Sequence, residues 1–297
     1  MKHPLIFITP FPEKFILVTG DAGYIGNALV KFLIERKYAC VGYDGVNGLD
    51  ITDNESLNSM FEKYNIDCVI HLAAMSSVPI CEENPEKAYK VNVEGTKNIV
   101  NTMKKHGCSK IIFASTSSVY EDSNEILTEK SKICPNSVYA ITKYESENIV
   151  ANSGLKYVIL RMFNVVGGNN IQNFGYDRLF SSLVSGKITV YGFDYDTKDG
   201  TCVRDYVDII DVCRSYELSL EYLDKIDTTS TTINISTSIG TSVLEIINLW
   251  KHKLKVSYSG KRKGDKAISV GSNSLALSNI KWFPEHTIAQ TINKMCC

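Results

Sequence analysis

The chain has 297 residues, a formal net charge of −1 at pH 7 and 44% hydrophobic residues. This length can bury a sizeable core and hold one large domain or two modest ones. The balanced charge gives no electrostatic case for binding nucleic acid or an anionic membrane, and no apolar run reaches the roughly 20 residues that a membrane-spanning helix needs. The nine cysteines include no C-x-x-C pair and the five histidines show no metal-ligand spacing. This pattern predicts free thiols, no metal site and a cytoplasmic protein.

The first predicted strand and the first predicted helix are joined by a glycine-rich turn. Residues 15–18 form an apolar run typical of a strand buried on both faces, and residues 27–36 have apolar positions at helical spacing. Gly20, Gly23 and Gly26 lie between them in the pattern G-x-x-G-x-x-G. A strand, a glycine turn and a helix together place a pyrophosphate on the helix N-terminus, because glycines let the backbone approach the phosphate oxygens.

The second predicted strand, residues 39–43, ends at Asp44. This acid lies about 20 residues after the glycine turn, where a carboxylate reads the ribose diol of a dinucleotide. The alternative is that Asp44 is only a polar residue at a strand end. A carboxylate at this position would repel a 2′-phosphate, so the sequence favours NAD over NADP as the cofactor.

Helices and strands continue to alternate through the first half of the chain. The predicted helices are 55–64, 85–106 and 136–153, and the predicted strands are 67–72, 110–115 and 155–161. After Asn164 the elements are less regular, with helices predicted at 177–185, 208–223 and 243–253 and strands at 188–191 and 232–236. Alternating strands and helices predict an α/β fold with a doubly wound parallel sheet of the Rossmann type.

We expect the two later strands to extend this sheet. The predicted domains are therefore a dinucleotide-binding domain at 1–165, completed by elements within 187–236, and a smaller substrate lobe drawn mainly from 166–297.

A tyrosine and a lysine open the helix predicted at 136–153. Tyr139 and Lys143 are four residues apart, so they share one helix face. A lysine ammonium favours the phenolate and lowers the tyrosine pKa from its ordinary value of about 10. Such a tyrosine can take a proton from a sugar hydroxyl at neutral pH. Ser115 or Thr116, at the end of the preceding strand, can hydrogen-bond the reacting oxygen; the alternative is that these hydroxyls satisfy local backbone groups.

Several motifs resemble those of the extended short-chain dehydrogenase/reductase family. They are T-G-D-A-G-Y-I-G at 19–26, H-L-A-A at 71–74, N-V-E-G-T at 92–96, S-T-S-S-V-Y at 115–120, Y-A-I-T-K at 139–143 and R-M-F-N-V-V-G at 161–167. Two later motifs, D-G-T-C-V-R-D-Y at 199–206 and K-R-K-G-D at 261–265, are similar to those of the UDP-glucose 4-epimerases within that family.

The resemblance implies an NAD-dependent enzyme that interconverts UDP-glucose and UDP-galactose at C4 through a 4-keto intermediate. It implies that Tyr139 is the base and acid at the sugar 4-hydroxyl, with Thr116 as the catalytic hydroxyl, and that Lys143 holds the nicotinamide ribose. The positions that match cofactor-binding residues of the family are Gly20, Gly23, Tyr24, Ile25, Gly26, Asp44, Asp50, Ile51, Leu72, Ala73, Ala74, Asn92, Tyr139 and Lys143. The positions that match nucleotide-sugar residues are Thr116, Asn164, Tyr191, Arg204, Arg262 and Asp265. Family members often pair through the helices beside the central strands, which implies a homodimer through 85–106 and 136–153.

The sequence also departs from the family pattern. Ser76 stands where the epimerases usually have a lysine, and Met162 stands where they have an aromatic residue. The segments 44–50 and 168–178 are shorter than usual. Ser269 occupies a position where epimerases carry either a bulky tyrosine or a small residue. A small residue there leaves room for a 2-acetamido group, so we expect UDP-N-acetylhexosamines to be accepted as well.

Two other functions remain open at this point. The first is a nucleotide-sugar 4-reductase or 4,6-dehydratase of the same fold. Dehydratases of the family have Asp-Glu where Ser117 and Ser118 stand, and Asp44 disfavours the NADPH that a reductase consumes. The second is a non-catalytic dinucleotide-sensing protein, which Ser76 favours and the presence of both Tyr139 and Lys143 disfavours.

Overall fold

The computed structural model describes residues 13–168, 179–225, 229–262 and 265–296. The chain divides into two compact units. Unit 1 comprises Met1–Val119, Pro135–Arg161 and Cys213–Ile233, and unit 2 comprises Tyr120–Cys134, Met162–Val212 and Asn234–Cys297. Residues 169–178, which include most of the shortened segment and the start of the helix predicted at 177–185, lie outside the described residues.

The elements are as follows. The strands are β1 (Phe15–Thr19), β2 (Cys40–Tyr43), β3 (Ile66–His71), β4 (Lys110–Thr116), β5 (Lys156–Met162), β6 (Asn164–Val166), β7 (Lys187–Tyr191), β8 (Val203–Asp208), β9 (Thr231–Ile235), β10 (Gly240–Ser242), β11 (Lys255–Ser259) and β12 (Ile268–Ser269). The helices are α1 (Tyr24–Glu35), α2 (Asn54–Lys63), α3 (Val78–Glu83), α4 (Pro85–Tyr89), α5 (Gly95–Lys105), α6 (Val138–Ala151), α7 (Leu179–Val184), α8 (Ile209–Leu223), α9 (Val243–Leu249), α10 (Ser274–Ile280) and α11 (Ile288–Met295).

Unit 1 is built on a six-stranded sheet with the order β2-β1-β3-β4-β5-β9. β1 pairs in parallel with β2 on one side and with β3 on the other, and β3 pairs in parallel with β4. Successive strands are therefore added on one side of β1 up to β2 and on its other side from β3 onwards, so the strand order reverses between β1 and β3. Ligands of doubly wound folds bind at the carboxyl ends of strands at such a switch point. The predicted fold class is confirmed.

The central strands of this sheet are buried on both faces. All five residues of β1 are buried, and Leu17, Val41, Val69 and Ile111 on neighbouring strands belong to one apolar cluster. This agrees with the apolar runs that predicted the strands, because a parallel sheet covered by helices on both faces excludes water from both.

The prediction that both later strands extend the sheet was half wrong. β9 does extend it, beside β5, but β7 pairs with β11 in a separate two-stranded sheet. The residues of β7 alternate between buried and more exposed positions, whereas the last three residues of β9 are all buried. Alternation is typical of a strand with one solvated face, so β7 lacks the pattern of an inner strand of a parallel sheet.

Unit 2 contains a second small sheet around β8. β8 pairs antiparallel with β10 and parallel with β12 and β6. In the described parts of the chain, no helix is both long enough and apolar enough to cross a bilayer.

Candidate functional site

The turn after β1 leaves the N-terminus of α1 open to an anion. Gly20 has a φ of +74° and its N–H donates to the Tyr43 carbonyl at 2.8 Å. α1 then begins after Gly23, and among the described residues no side chain caps it and no acid lies in its first turn, which includes Tyr24 and Ile25. The first N–H groups of a helix carry partial positive charge and lack partners within the helix, so this end can receive a pyrophosphate.

The glycines of the turn are required by close backbone contacts. A Cβ at Gly26 would lie 2.1 Å from the Gly20 carbonyl oxygen, and a Cβ at Gly20 would lie 2.7 Å from the Ala73 nitrogen. Backbone atoms cannot move aside as the end of a side chain can. The residues present therefore fit a bound dinucleotide, because the turn is kept narrow and free of side chains where the backbone must approach phosphate.

The segment after β3 lies directly against this turn. The Leu72 N–H donates to the Thr19 carbonyl at 3.1 Å, and the Ala73 N–H donates to Thr19 Oγ1 at 3.2 Å. Ala74 follows and is half-buried. Leu72, Ala73 and Ala74 therefore lie at the carboxyl ends of β1 and β3, where cofactor-binding residues are expected.

His71, at the end of β3, connects the segment 72–74 to β1 and α5 through two side-chain contacts. Its Nδ1 is 2.7 Å from Thr19 Oγ1 and its Nε2 is 3.0 Å from Thr96 Oγ1. Burial lowers the pKa of His71 to about 3, so the ring is neutral at physiological pH. We assign His71 a structural part in the packing of β1, β3 and α5.

Asp44 and its neighbours line the end of β2. Asp44 is half-buried, and its carboxylate accepts the N–H groups of Ala22 at 3.2 Å and Val46 at 2.8 Å. Asp50 is exposed, while the Ile51 side chain is buried. Ile51 thus contributes its side chain to the core of unit 1, and only its backbone remains for a ligand.

Asn92 lies in a π-helical turn, Lys90–Glu94, between α4 and α5. Its side chain accepts the Met75 N–H at 2.7 Å and donates to the Met75 carbonyl at 3.1 Å and to Thr142 Oγ1 at 2.9 Å. The Asn92 carbonyl also accepts the Ser146 hydroxyl at 2.8 Å. Asn92 is 1% exposed, so it positions the segment after β3 relative to α6. Turns of this kind are frequent at functional sites.

One face of α6 carries Tyr139, Lys143 and Glu147. The helix begins at Ser137, whose hydroxyl accepts the Ala140 N–H at 3.2 Å. Lys143 is 3% exposed and its Nζ lies 4.1 Å from the centre of the Phe113 ring. Burial lowers the pKa of Lys143 to about 7, although the Glu147 charge opposes this change. An ammonium with this pKa, one helical turn from the half-buried Tyr139, can exchange its proton near neutral pH.

The structure separates the two hydroxyls at the end of β4, which the residues alone left as alternatives and of which the resemblance implied Thr116. Ser115 donates to the Glu147 carboxylate, which also holds Arg161 through an Nη2–Oε2 contact of 2.6 Å. Thr116 instead bonds locally, at 3.2 Å, with the hydroxyl and the N–H of Ser118 at the strand end. The Ser115 hydroxyl is therefore already bonded to a buried ion pair, and Thr116 remains the candidate for a catalytic hydroxyl.

In unit 2 the structure brings together four of the predicted nucleotide-sugar residues. Asp265 accepts from Arg262 Nε at 2.9 Å and lies 3.9 Å from Arg204 Nη2. The Arg262 guanidinium carbon is 4.5 Å from the centre of the Tyr191 ring. The two arginines share one carboxylate, so the cluster has a local excess of positive charge suited to a diphosphate.

The remaining two residues of interest in unit 2 lie on strands beside Arg204. Ser269 of β12 pairs in register with Arg204 of β8. Asn164, at the start of β6, pairs with Tyr206, two residues further along β8. The three positions therefore share one small sheet.

A protein-family model described as the NAD dependent epimerase/dehydratase family matches residues 16–236. The chain belongs to this family. The resemblance drawn from the motifs is thereby confirmed.

Relatives within the epimerase/dehydratase family cover nearly the whole chain. The UDP-glucose 4-epimerase of Halalkalibacterium halodurans is 31% identical over 93% of this chain and 92% of that protein. UDP-glucose 4-epimerase 2 of Arabidopsis thaliana has the same identity and coverage. A solved structure of UDP-glucose-4-epimerase from Stenotrophomonas maltophila, with bound NAD and formylated UDP-arabinopyranose, has a TM-score of 0.88 at 27% identity. The match covers 95% of this chain and 96% of that one.

Sequence reasoning missed one residue of this site, Glu147. The signal for Glu147 was available, since it lies four residues after Lys143 and must share its helix face.

Proposed function

We propose that this protein is an NAD-dependent epimerase that interconverts UDP-glucose and UDP-galactose at C4. The observation that carries the proposal is the α6 face on which the buried Lys143 ammonium, with its pKa near 7, stands one turn from Tyr139. The motifs around these residues and the names of the relatives support the same reaction.

The proposed cofactor site belongs to unit 1. The turn of Gly20, Gly23 and Gly26 and the first turn of α1 would hold the pyrophosphate, and Asp44 would hold the adenosine ribose. The proposed set is completed by Tyr24, Ile25, Asp50, Ile51, Leu72, Ala73, Ala74 and Asn92. The chemistry that NAD supplies when bound is reversible hydride transfer at C4 of the sugar.

The chain's own residues would move the proton. Tyr139 removes the proton from the 4-hydroxyl as the 4-keto sugar forms, and it returns a proton when the sugar is reduced from its other face. Lys143 stabilises the phenolate by its charge and holds the nicotinamide ribose. Thr116 donates a hydrogen bond to the reacting oxygen. Each step is a positioned acid or base acting at one atom, for which a side-chain pKa near neutrality is most effective.

The proposed nucleotide-sugar residues belong to unit 2. Arg204 and Arg262 would bind the diphosphate, whose charge suits planar guanidinium donors. Tyr191, Asn164 and Asp265 complete the set. A UDP held firmly by these contacts leaves the sugar free to turn, as epimerisation at C4 requires.

We further propose that the sugar site accepts 2-acetamido sugars. Ser269 is the small residue that motivates this, and it lies beside Arg204 in register. The cellular location proposed is the cytoplasm, and the proposed assembly is a homodimer through α4–α5 and α6.

The direct test is product analysis of the purified protein with UDP-glucose, UDP-galactose and their N-acetyl forms. We expect UDP-glucose and UDP-galactose to give the same equilibrium mixture, whichever of the two is supplied, with no added reductant. A Tyr139→Phe variant should lose turnover and still bind NAD.

Consumption of NADPH with each turnover would indicate a 4-reductase, and nucleotide binding without any sugar conversion would indicate a sensor. Conversion of UDP-glucose but not UDP-GlcNAc would refute the part assigned to Ser269.

A further inference from the structure

Asp21, the residue after the first glycine of the turn, has a buried carboxylate with an unusual environment. The residue is 8% exposed, and within the described ranges its Oδ1 has no hydrogen-bond partner. A Cβ built on Gly42 would lie 2.1 Å from Asp21 Oδ2. The carboxylate therefore occupies the space left by the missing side chain of Gly42 on β2.

This position places Asp21 beside Asp44. Side chains two residues apart on a strand project to the same face, so the space above Gly42 adjoins the side chain of Asp44. Burial, and after it the charge of the neighbouring Asp44, raise the pKa of Asp21 to about 6. Asp44 is the charged side chain that acts on Asp21 here; the backbone N–H groups of Asp21 and Tyr43 oppose the shift.

The two acids differ in how their oxygens are satisfied. Asp44 accepts N–H groups from Ala22 and Val46, whereas Asp21 keeps an oxygen unpaired in a place that excludes water. A buried acceptor without a donor costs free energy. A ligand that brings hydroxyl donors to this edge relieves that cost, and a ligand that brings a further anion increases it.

We propose, on the basis of the NAD-dependent function above, that Asp21 is a second carboxylate of the adenosine-ribose site and determines the selectivity for NAD over NADP. Asp44 alone would disfavour a 2′-phosphate. The neighbouring carboxylate doubles the negative charge that such a phosphate meets, in a region of reduced dielectric where the repulsion is stronger than in water.

The test measures binding of NAD and NADP to the full-length protein by titration calorimetry, at pH 8 and at pH 5. The variants are Asp21→Asn, which keeps the shape of the side chain without its charge, and Asp21→Ala, which removes the carboxylate altogether. The second variant is the alternative if the amide of the first packs poorly. Glu35→Gln is the matched control, because it removes one charge from the exposed end of α1, about 16 Å along the helix from its start. Thermal unfolding of each variant checks that the fold is intact.

At pH 8 we expect either Asp21 variant to reduce the ratio of the NADP to the NAD dissociation constant by about tenfold, while Glu35→Gln leaves it unchanged. At pH 5 Asp21 is mostly protonated, so wild type and Asp21→Asn should agree within about twofold. The 2′-phosphate of free NADP also titrates in this range, but both proteins meet the same nucleotide at the same pH, so its protonation in solution cancels in the comparison between them.

An unchanged ratio at pH 8 in both variants would overturn the inference. So would a difference between wild type and Asp21→Asn that is as large at pH 5 as at pH 8, because that would indicate a change of shape and not of charge. If wild type binds NAD and converts UDP-galactose while the ratio is unchanged, only the inference fails. If wild type binds neither nucleotide, the proposed function fails with it.

Discussion

At the scale of single residues, the buried ammonium of Lys143 lowers the stability of the fold. A lysine pKa of about 7 lies well below the value of about 10.4 expected in the unfolded chain. Between these values the unfolded state holds the Lys143 proton more tightly than the folded state, so the destabilising contribution of Lys143 decreases as the pH rises across this range. Below pH 7 the cost of the buried ammonium is present in full.

Lys143→Met should therefore stabilise the fold at acidic pH while removing activity. We expect the free energy of unfolding to increase by about 2–4 kcal/mol at pH 6 and by less than half of that gain at pH 9. Urea unfolding at the two pH values measures this difference. An equal gain at both would mean that the ammonium is not the source of the cost.

At the scale of elements, α6 is fixed to the sheet by a buried ion pair. Glu147 on α6 pairs with Arg161 on β5 and accepts the hydroxyl of Ser115 on β4. Side chains of both charged residues are less than a tenth exposed, at 4% and 8%. Removing one partner leaves the other charge buried and uncompensated, whereas replacing both with apolar groups is tolerated far better.

The ion pair gives a prediction for a double-mutant cycle. Glu147→Gln should lower the free energy of unfolding by about 3–5 kcal/mol, because Arg161 is left without its counter-ion. The cycle itself uses Glu147→Leu, Arg161→Met and the two together, and the double variant should be clearly more stable than Glu147→Leu alone. Chemical denaturation of the variants tests this, and two effects that simply add would show that the two side chains are not coupled.

The elements also show how far a sequence can predict a fold of this kind. The strands of the main sheet were predictable because each is a short apolar run. β8 was not, since V-R-D-Y-V-D contains charged residues that look solvated. In the structure Asp205 of β8 is fully buried and accepts hydrogen bonds from Thr237 and Ser238, about 30 residues later in the chain. Partners so distant in sequence cannot be read from a local pattern.

The site was predictable to a similar degree. The motifs located the glycine turn, the α6 pair and the Arg204, Arg262 and Asp265 cluster. The residues alone did not separate Ser115 from Thr116, since both are hydroxyls at a strand end, and only the resemblance pointed to Thr116. They also did not show that Ile51 is a core residue, because its burial depends on packing against Gly95.

At the scale of the whole molecule, the proposed homodimer makes α4–α5 and α6 an interface. Tyr89 on α4 is exposed, and Ile141 and Tyr144 on α6 are only half-buried within one chain. We expect the wild type to be a dimer at micromolar concentration by light scattering, and Ile141→Glu to weaken it. Val46→Glu is the matched control, since it places the same charge on an exposed apolar residue that belongs to none of these helices. A wild-type monomer, or equal behaviour of the two variants, would contradict this interface.

The proposed epimerisation requires reversible oxidation of the substrate at C4, with return of the same hydrogen. The most direct measurement follows UDP-galactose labelled with deuterium at C4, incubated with the purified protein and no added reductant. We predict UDP-glucose that retains the deuterium at C4, and no such product with Tyr139→Phe. Loss of the label to solvent, or a requirement for added NADPH, would contradict the proposed epimerase.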